Sequence, residues 1–381
     1  MEKKSNTVLI ITSHFPPNLG GIESHLNALV NVLVKHHWNV LVSTYQPLAS
    51  NKSAPSLEKR KGLTIYRMPW IGFNVVHKLT NIPPLEFIYL FPGLLIMTTI
   101  VLFKYRKEIS VVHAQGLVPT AVGKVVSLIF NKKLISSIHN LYFFPTKGVY
   151  PKVAKIIFSS SDQILSPTGV VTSELIRIGV PKEKIKKFSY WLSLDTFKVL
   201  NKVSLREKLG WNKFTVFFVG RLIETKGVGI ILRLIEVLDP RIQIVVAGDG
   251  SMKEQLVKAQ VDHKNLTYLG RIENTDLPTY YNASDLVIVP SLVDEGWGYT
   301  AMEAISCGTP VIASRVGGLS DVVSSKVGRL VSPTVKSFKK WIEYYFLKRK
   351  ELTHLISQSR SYALSNFGNG NIKLILDAYG R

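Results

Sequence analysis

Residues 214–248, FTVFFVGRLIETKGVGIILRLIEVLDPRIQIVVAG, decide the fold class. Two short apolar runs rich in Val, Ile and Phe flank a longer stretch whose apolar residues follow a helical period. That order is typical of two parallel strands joined by a crossover helix. Similar strand candidates recur along the chain: TVLIIT, NVLVST, SVVHAQ, KLISSIH, QILSP, LTYLG, LVIVPS and PVIAS. The sequence therefore predicts an α/β protein.

The chain has 381 residues, which is enough for two domains with separate cores. A polar connection over residues 186–211 precedes a fresh strand and divides the strand candidates into two groups. We predict an N-terminal α/β domain over residues 1–190 and a C-terminal one over residues 191–365. Residues 366–381 contain a Gly/Asn breaker and a short apolar helix, which we expect to dock back on the N-terminal domain.

The chain is strongly basic, with 48 Lys and Arg against 26 Asp and Glu and a net charge of +22. Residues 1–199 carry 24 basic and 9 acidic residues (+15), whereas residues 200–381 carry 24 and 17 (+7). Such a surface suits nucleic acid, an anionic membrane or a phosphorylated ligand. A nucleic-acid-binding protein is the alternative from another functional class, but its pattern of interleaved basic and aromatic residues is missing from the sequence.

Cys307 is the sole cysteine, so an intramolecular disulfide and a Cys-based metal cluster are excluded. A single thiol fits a reducing compartment, and burial statistics favour a small buried residue over a nucleophile. The basic start MEKKSNTVLIITSHF has an apolar run too short for a signal peptide, and we expect it to form the first strand.

Residues 87–103, FIYLFPGLLIMTTIVLF, are almost wholly apolar and are flanked by Glu86 and by a cationic cluster at 104–107. A membrane-spanning helix needs about 20 such residues, and Pro92–Gly93 interrupts this segment. A buried core helix, a membrane-surface element and a true span all remain open. Aromatic residues expected in loops of the same half could add to a membrane surface: Trp70, Phe73, Tyr142, Phe143 and Phe144.

After the first candidate strand, Gly20 and Gly21 precede a helix with a 3.6-residue apolar period. Residues without side chains let a ligand approach the backbone, and the free N–H groups of a helix start suit an anion such as phosphate. A plain turn before a helix has the same pattern, so both interpretations remain open. The stretch is not a GxGxxG fingerprint, and the sequence has no P-loop.

Arg221 directly follows a candidate strand, and Lys226 lies in the loop before the next helix. Both cations would stand at the carboxyl edge of a sheet, where open α/β sheets bind ligands. Charge-assisted hydrogen bonds to phosphate contribute about 1.5–3 kcal/mol each. The pair could hold a diphosphate without a metal, or it could be a solvated surface pair.

Two glutamates follow in DEGWGYTAME: Glu295 in a loop and Glu303 on the next helix. Glu303 stands one turn beyond Tyr299 and Thr300, so the three can share a helical face. The backbone N–H groups of Gly298, Tyr299 and Thr300 form a second candidate anion site. Carboxylates repel phosphate but accept hydrogen bonds from hydroxyl groups. A nucleotide sugar satisfies both the cations and the glutamates.

These motifs resemble the retaining GT-B glycosyltransferases, a family 4-like group that includes phosphatidylinositol mannosyltransferases and sucrose synthases. GGIESH is similar to the family's glycine loop, VVHAQG and SSIHN to its His-bearing strand ends, and FVGRLIETKG to its phosphate clamp. VVAGDG, YYNASDLVIVPS and the paired-glutamate motif EGWGYTAME follow in order, with Trp297 where Phe is commoner. The resemblance covers nearly the whole chain. It implies two Rossmann-like domains facing each other across a cleft, the first binding the acceptor and the second the nucleotide sugar.

The resemblance also implies roles for single residues. The implied donor contacts are Gly20 and Gly21 on the phosphate or the sugar, Arg221 and Lys226 on the diphosphate, Glu295 on the sugar hydroxyls and Glu303 on the ribose. His139 would line the sugar site near the reacting carbon, although a strand-end His is by itself more often a structural hydrogen-bonding group. The family's Asn-Gly-Val-Asp linker corresponds here to YWLSLD, which keeps Asp195 and adds Tyr190 and Trp191.

No DxD pair occurs, so we expect no metal and no cofactor, and a UDP- or GDP-sugar as donor. The acceptor is implied to attack from the face that the diphosphate leaves, with the cations stabilising the leaving group. We expect a lipid-linked glycan or glycolipid acceptor, and a cytoplasmic protein peripherally bound to the anionic cytoplasmic membrane face. A sugar-nucleotide epimerase of similar fold is the nearer alternative.

Overall fold

The structure is a computed structural model, and it describes residues 6–18, 21–48, 53–72, 75–79, 82–139, 142, 144–294 and 296–380. The chain divides into two compact units. The first comprises Met1–Tyr190 and Asn369–Arg381, and the second comprises Trp191–Gly368. Each unit holds one sheet flanked by helices, so the predicted α/β class is confirmed.

The first unit contains an eight-stranded sheet. Its strands are β1 (Thr7–Ile11), β2 (Asn39–Tyr45), β3 (Leu57–Arg60), β4 (Leu63–Met68), β5 (Ile109–Gln115), β6 (Lys133–Ser137), β7 (Gln163–Ser166) and β8 (Ile185–Lys187). Their order is β3-β4-β2-β1-β5-β6-β7-β8, and only β3 and β4 pair antiparallel. The order changes direction between β1 and β5, and ligands bind at such switch points.

Within the described residues, six α-helices of this unit precede residue 190 and cover the sheet. They are α1 (Gly21–Lys35), α2 (Val75–Leu79), α3 (Pro83–Tyr105), α4 (Leu117–Phe130), α5 (Val149–Ser159) and α6 (Gly169–Arg177). Strand β1 is fully buried and almost wholly apolar because both faces of the sheet are covered.

Helix α3 runs for 23 residues and continues through Pro92, where the sequence predicted an interruption. Proline lacks a backbone donor and disrupts the i to i−4 hydrogen-bond pattern of a helix. The buried Tyr45 hydroxyl donates to Leu90 O and accepts the Leu94 N–H at 2.7 Å. A side chain from β2 thus bridges two backbone groups on either side of the proline, in a helix that is continuous from Pro83 to Tyr105.

Loop aromatics of this unit that were predicted to face a membrane pack inward instead. The Trp70 indole N–H donates to a carbonyl of α3 at 3.0 Å. Phe144 is buried, and the Tyr142 hydroxyl accepts a backbone N–H of α4 at 3.0 Å. Phe73 and Phe143 lie outside the described residues. Trp70, Tyr142 and Phe144 therefore pack in or against the hydrophobic core of the unit.

The second unit contains a six-stranded, wholly parallel sheet. Its strands are β9 (Phe214–Val219), β10 (Ile242–Ala247), β11 (Leu266–Tyr268), β12 (Leu286–Val289), β13 (Val311–Ser314) and β14 (Gly328–Val331). Its helices are α7 (Lys202–Leu209), α8 (Val228–Val237), α9 (Lys253–Asp262), α10 (Leu277–Ala283), α11 (Tyr299–Ser306), α12 (Leu319–Val322), α13 (Val335–Leu347) and α14 (Arg349–Asn366). The strand order β11-β10-β9-β12-β13-β14 changes direction between β9 and β12.

The last residues of the chain complete the first unit. A 3-10 turn at Asn369–Ile372 leads into α15 (Lys373–Tyr379). The Tyr379 hydroxyl lies 2.7 Å from His113 Nδ1, and its ring packs edge-on against Trp38. Asn371 Nδ2 donates to the Tyr190 carbonyl at 3.0 Å. Aromatic packing and hydrogen bonds therefore hold this segment on the first unit.

Candidate functional site

Arg221 stands at the switch point of the second unit, on a loop fixed by its backbone. Leu222 N donates to Asp249 O at 2.8 Å, and Met252 N donates to Leu222 O at 2.8 Å. The two loops touch so closely that a Cβ on Gly248 would lie 1.9 Å from the Gly220 carbonyl oxygen. Arg221 itself is exposed, and its guanidinium makes no hydrogen bond or ion pair within the described part of the chain. The loop therefore presents an available cation.

Lys226 ends the 3-10 turn Glu224–Lys226, which lies beside the loop after β12. The Leu292 N–H donates to the Thr225 carbonyl at 2.9 Å. Gly227 has φ +79°, and a Cβ there would lie 2.0 Å from the Pro290 carbonyl oxygen, so only glycine allows this approach. The predicted clamp residues Arg221 and Lys226 are thus carried by one loop, which is anchored to the ends of β10 and β12.

The first turn of α11 supplies the second predicted anion site. Gly298 precedes the helix and has no side-chain capping bond, and a Cβ there would lie 2.7 Å from the Leu319 side chain. The helix starts with half-buried Tyr299 and Thr300, whose backbone N–H groups belong to the first turn. Glu295, the predicted sugar ligand, lies outside the described residues.

Glu303 is buried in α11, and the Tyr281 hydroxyl donates to its Oε2 at 2.7 Å. Burial raises the pKa of the Glu303 carboxyl to about 7, although the hydrogen bond from Tyr281 acts in the opposite direction. This carboxyl can therefore change protonation near neutral pH and can accept bonds from hydroxyl groups when ionised. Cys307, one turn further on, is buried as predicted, and burial raises the pKa of its thiol.

His139 of the first unit is buried just beyond the end of β6. Its Nε2 lies 2.6 Å from Gln115 Oε1, and its Nδ1 is hydrogen-bonded to the Tyr190 hydroxyl. An amide oxygen only accepts, so the proton is on Nε2 and Nδ1 accepts from Tyr190. Burial lowers the pKa of His139 to about 3, so the ring is neutral.

Two further histidines of the first unit, His25 and His113, are also buried. His25 of α1 is buried with its ring centroid 5.2 Å from that of His139 and 4.4 Å from that of Tyr190. Burial, followed by the neighbouring His139 and His113, lowers the pKa of His25 well below its ordinary value. His113 bonds to the Tyr379 hydroxyl and, at 2.7 Å, to Ser137 Oγ. Burial lowers the pKa of all three histidines, so the three rings are neutral.

Among the buried polar atoms that have no hydrogen-bond partner in the described ranges are Gln115 Nε2 and Asn18 Oδ1. Gln115 ends β5 and Asn18 follows β1, so both residues belong to the switch point of the first unit. Buried polar groups are normally hydrogen-bonded, so each of these two atoms has the capacity for one more hydrogen bond. The sequence reasoning missed both, and their position after strand ends was the only available signal. The predicted residue Gly21 begins α1, whereas Gly20 lies outside the described residues.

Two family models match the chain, one in each unit. The model for Glycosyltransferase Family 4 matches residues 19–187, and the model for Glycosyl transferases group 1 matches residues 201–362. The chain belongs to the family 4-like GT-B glycosyltransferases. The first model lies within the first unit of this glycosyltransferase and the second model within the second unit.

Two curated relatives match this glycosyltransferase over most of its length. It is 25% identical over 349 residues to an uncharacterised glycosyltransferase of Methanocaldococcus jannaschii, covering 84% of this chain and 83% of that protein. It is 26% identical over 347 residues to a phosphatidylinositol N-acetylglucosaminyltransferase component of Arabidopsis thaliana, covering 88% and 73%. Both are glycosyltransferases by name.

Solved structures share the fold of this glycosyltransferase. Sucrose-phosphate synthase from Thermosynechococcus elongatus matches with a TM-score of 0.80 and 22% identity, covering 98% of this chain and 97% of that one. Anabaena HepE, solved in complex with UDP-glucose, matches with a TM-score of 0.74 and 19% identity, covering 98% and 99%. These likenesses concern the fold alone, and the predicted GT-B class with two Rossmann-like domains is confirmed.

At the expected diphosphate position, the glycosyltransferase offers the cationic side chains of Arg221 and Lys226. Within the ranges that the structure describes, no group of three or more His, Cys, Asp or Glu side chains could hold a metal ion. The groups that could meet a diphosphate there are the Arg221 and Lys226 side chains and the first turn of α11.

Proposed function

We propose that this glycosyltransferase is a retaining hexosyltransferase that uses a UDP- or GDP-sugar and a lipid-linked glycan or glycolipid acceptor. One observation carries the proposal: Arg221 and Lys226 stand on a backbone-locked loop at the switch point of the second sheet. Two cations placed there provide charge-assisted hydrogen bonds for a diphosphate. Membership of the family 4-like group supports the retaining outcome.

A nucleotide sugar fits the remaining groups of the second unit. The first-turn N–H groups at Tyr299 and Thr300 can bond phosphate oxygens, which the helix dipole also favours. Glu303, with Tyr281 beside it, provides an acceptor for ribose hydroxyls, and Glu295 is assigned to the hydroxyls of the transferred sugar. HepE, which shares the fold, was solved with UDP-glucose bound, and this supports a nucleotide-sugar donor.

In the proposed reaction, the bond between the anomeric carbon and the diphosphate oxygen breaks while the acceptor oxygen bonds to the same face of that carbon. The acceptor proton passes to the departing phosphate oxygen. Negative charge grows on the diphosphate, so Arg221 and Lys226 bind the transition state more tightly than the ground state.

His139 is neutral with both ring nitrogens hydrogen-bonded, so its proposed role is to line the sugar site. Gly20 and Gly21 are assigned to the donor phosphate or the sugar. No metal takes part in this proposal.

A lipid-linked acceptor is supported by one relative and by the first unit. The Arabidopsis relative belongs by name to a phosphatidylinositol N-acetylglucosaminyltransferase. Helix α3 is long and apolar enough to cross a membrane by length and composition. About a third (33%) of its most apolar 18-residue stretch is buried inside the protein. Residues 1–199 also carry a net charge of +15. With this support we propose that the protein is cytoplasmic and binds peripherally to the cytoplasmic membrane face.

The test is nucleotide release from a panel of UDP-, GDP- and ADP-sugars, with and without a lipid extract. We expect release from a UDP- or GDP-sugar that the extract accelerates, together with a glycolipid whose anomeric configuration matches the donor by NMR. Changed sugar stereochemistry on an intact nucleotide would identify an epimerase. Absence of turnover with every donor, or tight binding of nucleic acid instead, would refute the transfer proposal.

A further inference from the structure

The outward face of α3 is apolar over almost its whole length. Ile88, Ile96, Ile100 and Phe103 are all exposed, and their spacing of three, four or eight residues places them along one side of the helix. No charged residue occurs between Glu86 and Lys104. A surface helix of a water-soluble domain normally turns a polar face to solvent, so this face is built for another environment.

The same character continues over the two neighbouring helices. Helix α3 packs on α4, and α4 packs on α5. We define the α3–α5 surface by its exposed apolar side chains: Ile88, Ile96, Ile100, Phe103, Leu128, Ile129, Val149, Val153 and Ile156. These side chains are between 41% and 75% exposed. An apolar patch spread over three adjacent helices marks a site of interaction.

The positive charges around the α3–α5 surface favour an anionic partner. Residues 83–159 carry nine Lys and Arg and two acidic residues. Exposed Lys152 and Lys155 alternate with Val153 and Ile156 on α5. A second copy of this chain would bring the same positive charge to the contact, whereas anionic lipid supplies both acyl chains and phosphate groups. Apolar side chains interleaved with lysines are typical of elements that lie in a membrane interface.

We propose that the α3–α5 surface rests on an anionic lipid bilayer, with its apolar side chains below the headgroups and its lysines among the lipid phosphates. The opposite face of α3 packs in the core of the unit through Leu90, Leu94 and Val101, so the helix lies on the membrane and does not span it. This inference deepens the proposed function, because the surface would bring the enzyme to a lipid acceptor. It stands on the exposed residues and not on the transfer chemistry.

The experiment is vesicle sedimentation of the full chain with phosphatidylcholine vesicles, alone or mixed with phosphatidylglycerol, over a salt series. The surface variant combines Ile88→Ser, Ile100→Ser and Phe103→Ser. The matched control combines Val203→Ser and Val261→Ser, which remove exposed apolar side chains from α7 and α9 of the second unit. Thermal melting by circular dichroism verifies that both variants fold.

We expect the wild type and the control to sediment with anionic vesicles, and the surface variant to lose at least about tenfold in partitioning. A second variant, Lys104→Ser with Lys152→Ser and Lys155→Ser, should lose at least about tenfold at low salt and little at high salt. Salt should weaken wild-type binding without abolishing it. Wild type that stays in the supernatant, or a surface variant that binds like the control, would overturn the proposal.

Two further measurements separate the alternatives. Analytical ultracentrifugation without lipid should show a monomer, and a dimer that the surface variant abolishes would assign the surface to a second copy and overturn the bilayer proposal. Donor hydrolysis in detergent should be equal in wild type and surface variant. Vesicle binding without any nucleotide release from the donor panel in the presence of lipid extract would refute the proposed function and leave the bilayer surface intact.

Discussion

Glu303→Gln should stabilise the ligand-free protein at alkaline pH while it weakens donor binding. Burial raises the pKa of the folded-state carboxyl from 4.5 to about 7. Between these values the folded protein holds the proton and the unfolded chain does not, so the free energy of unfolding falls as pH rises through this window. A rise of about 2.5 pK units corresponds to about 3 kcal/mol. The neutral glutamine side chain avoids this cost.

Urea unfolding at pH 4.5 and pH 8 measures this effect. We expect the variant and the wild type to be nearly equal at pH 4.5 and the variant to be more stable at pH 8 by up to about 3 kcal/mol. Glu273→Gln, an exposed carboxyl in the same unit, is the control and should show no such difference. A Glu303→Gln variant that is no more stable than wild type at pH 8 would refute the reasoning.

The same carboxyl couples donor binding to a proton. A ribose hydroxyl bonds best to the ionised form, so binding at pH 6 should release a proton from Glu303. Calorimetry in two buffers of different ionisation enthalpy detects that release, which the Glu303→Gln variant should lack. Its affinity should fall by about 1.5–3 kcal/mol because a charge-assisted bond is lost. Unchanged affinity would show that the ribose lies elsewhere.

Three more predictions concern the clamp, the histidine and metal dependence. Arg221→Ala and Lys226→Ala should each lower turnover about 10- to 1000-fold, and full turnover in both variants would place the clamp elsewhere. Tyr190→Phe leaves the buried Nδ1 of His139 without its donor, so urea unfolding should show a loss of about 1–3 kcal/mol; an unchanged midpoint would contradict the hydrogen bond. EDTA should leave transfer largely intact, and a complete loss that Mg²⁺ or Mn²⁺ restores would exclude a metal-independent reaction.

Central strands of both sheets could be predicted from the sequence because buried parallel strands are continuous apolar runs. The strands that the sequence analysis missed include β3, with sequence LEKR, β4, with LTIYRM, β8, with IKK, and β14, with GRLV. Strands β3, β8 and β14 lie at an edge of their sheet, whereas β4 lies between β3 and β2. The three edge strands have only three or four residues each, which leaves little periodic signal in the sequence.

The position of a residue at a strand end could be predicted from its neighbours in the sequence. Hydrogen bonds between residues far apart in the sequence could not. Arg221 and Lys226 follow from one strand, one loop and one helix, so their position at the sheet edge was predictable from adjacent residues. The hydrogen bonds of His139 join it to residues 24 and 51 positions away. The Tyr45 hydroxyl of β2 likewise bonds the backbone of α3 near Pro92, about 45 residues further along the chain. No sequence period encodes these contacts.

The fixed hydrogen bonds of His139 limit the chemistry that it can perform. Gln115 Oε1 accepts the Nε2 proton, and the Tyr190 hydroxyl donates to Nδ1, so no ring lone pair is available for a substrate proton. Tyr190 is held in turn at its carbonyl by Asn371, which belongs to the C-terminal segment. A general base at this position would need one of these bonds to break and a buried charge to form. In the proposed reaction the departing diphosphate takes the proton of the acceptor, because its growing negative charge makes it a stronger base than the neutral His139, and the acceptor stays on the face that the diphosphate leaves.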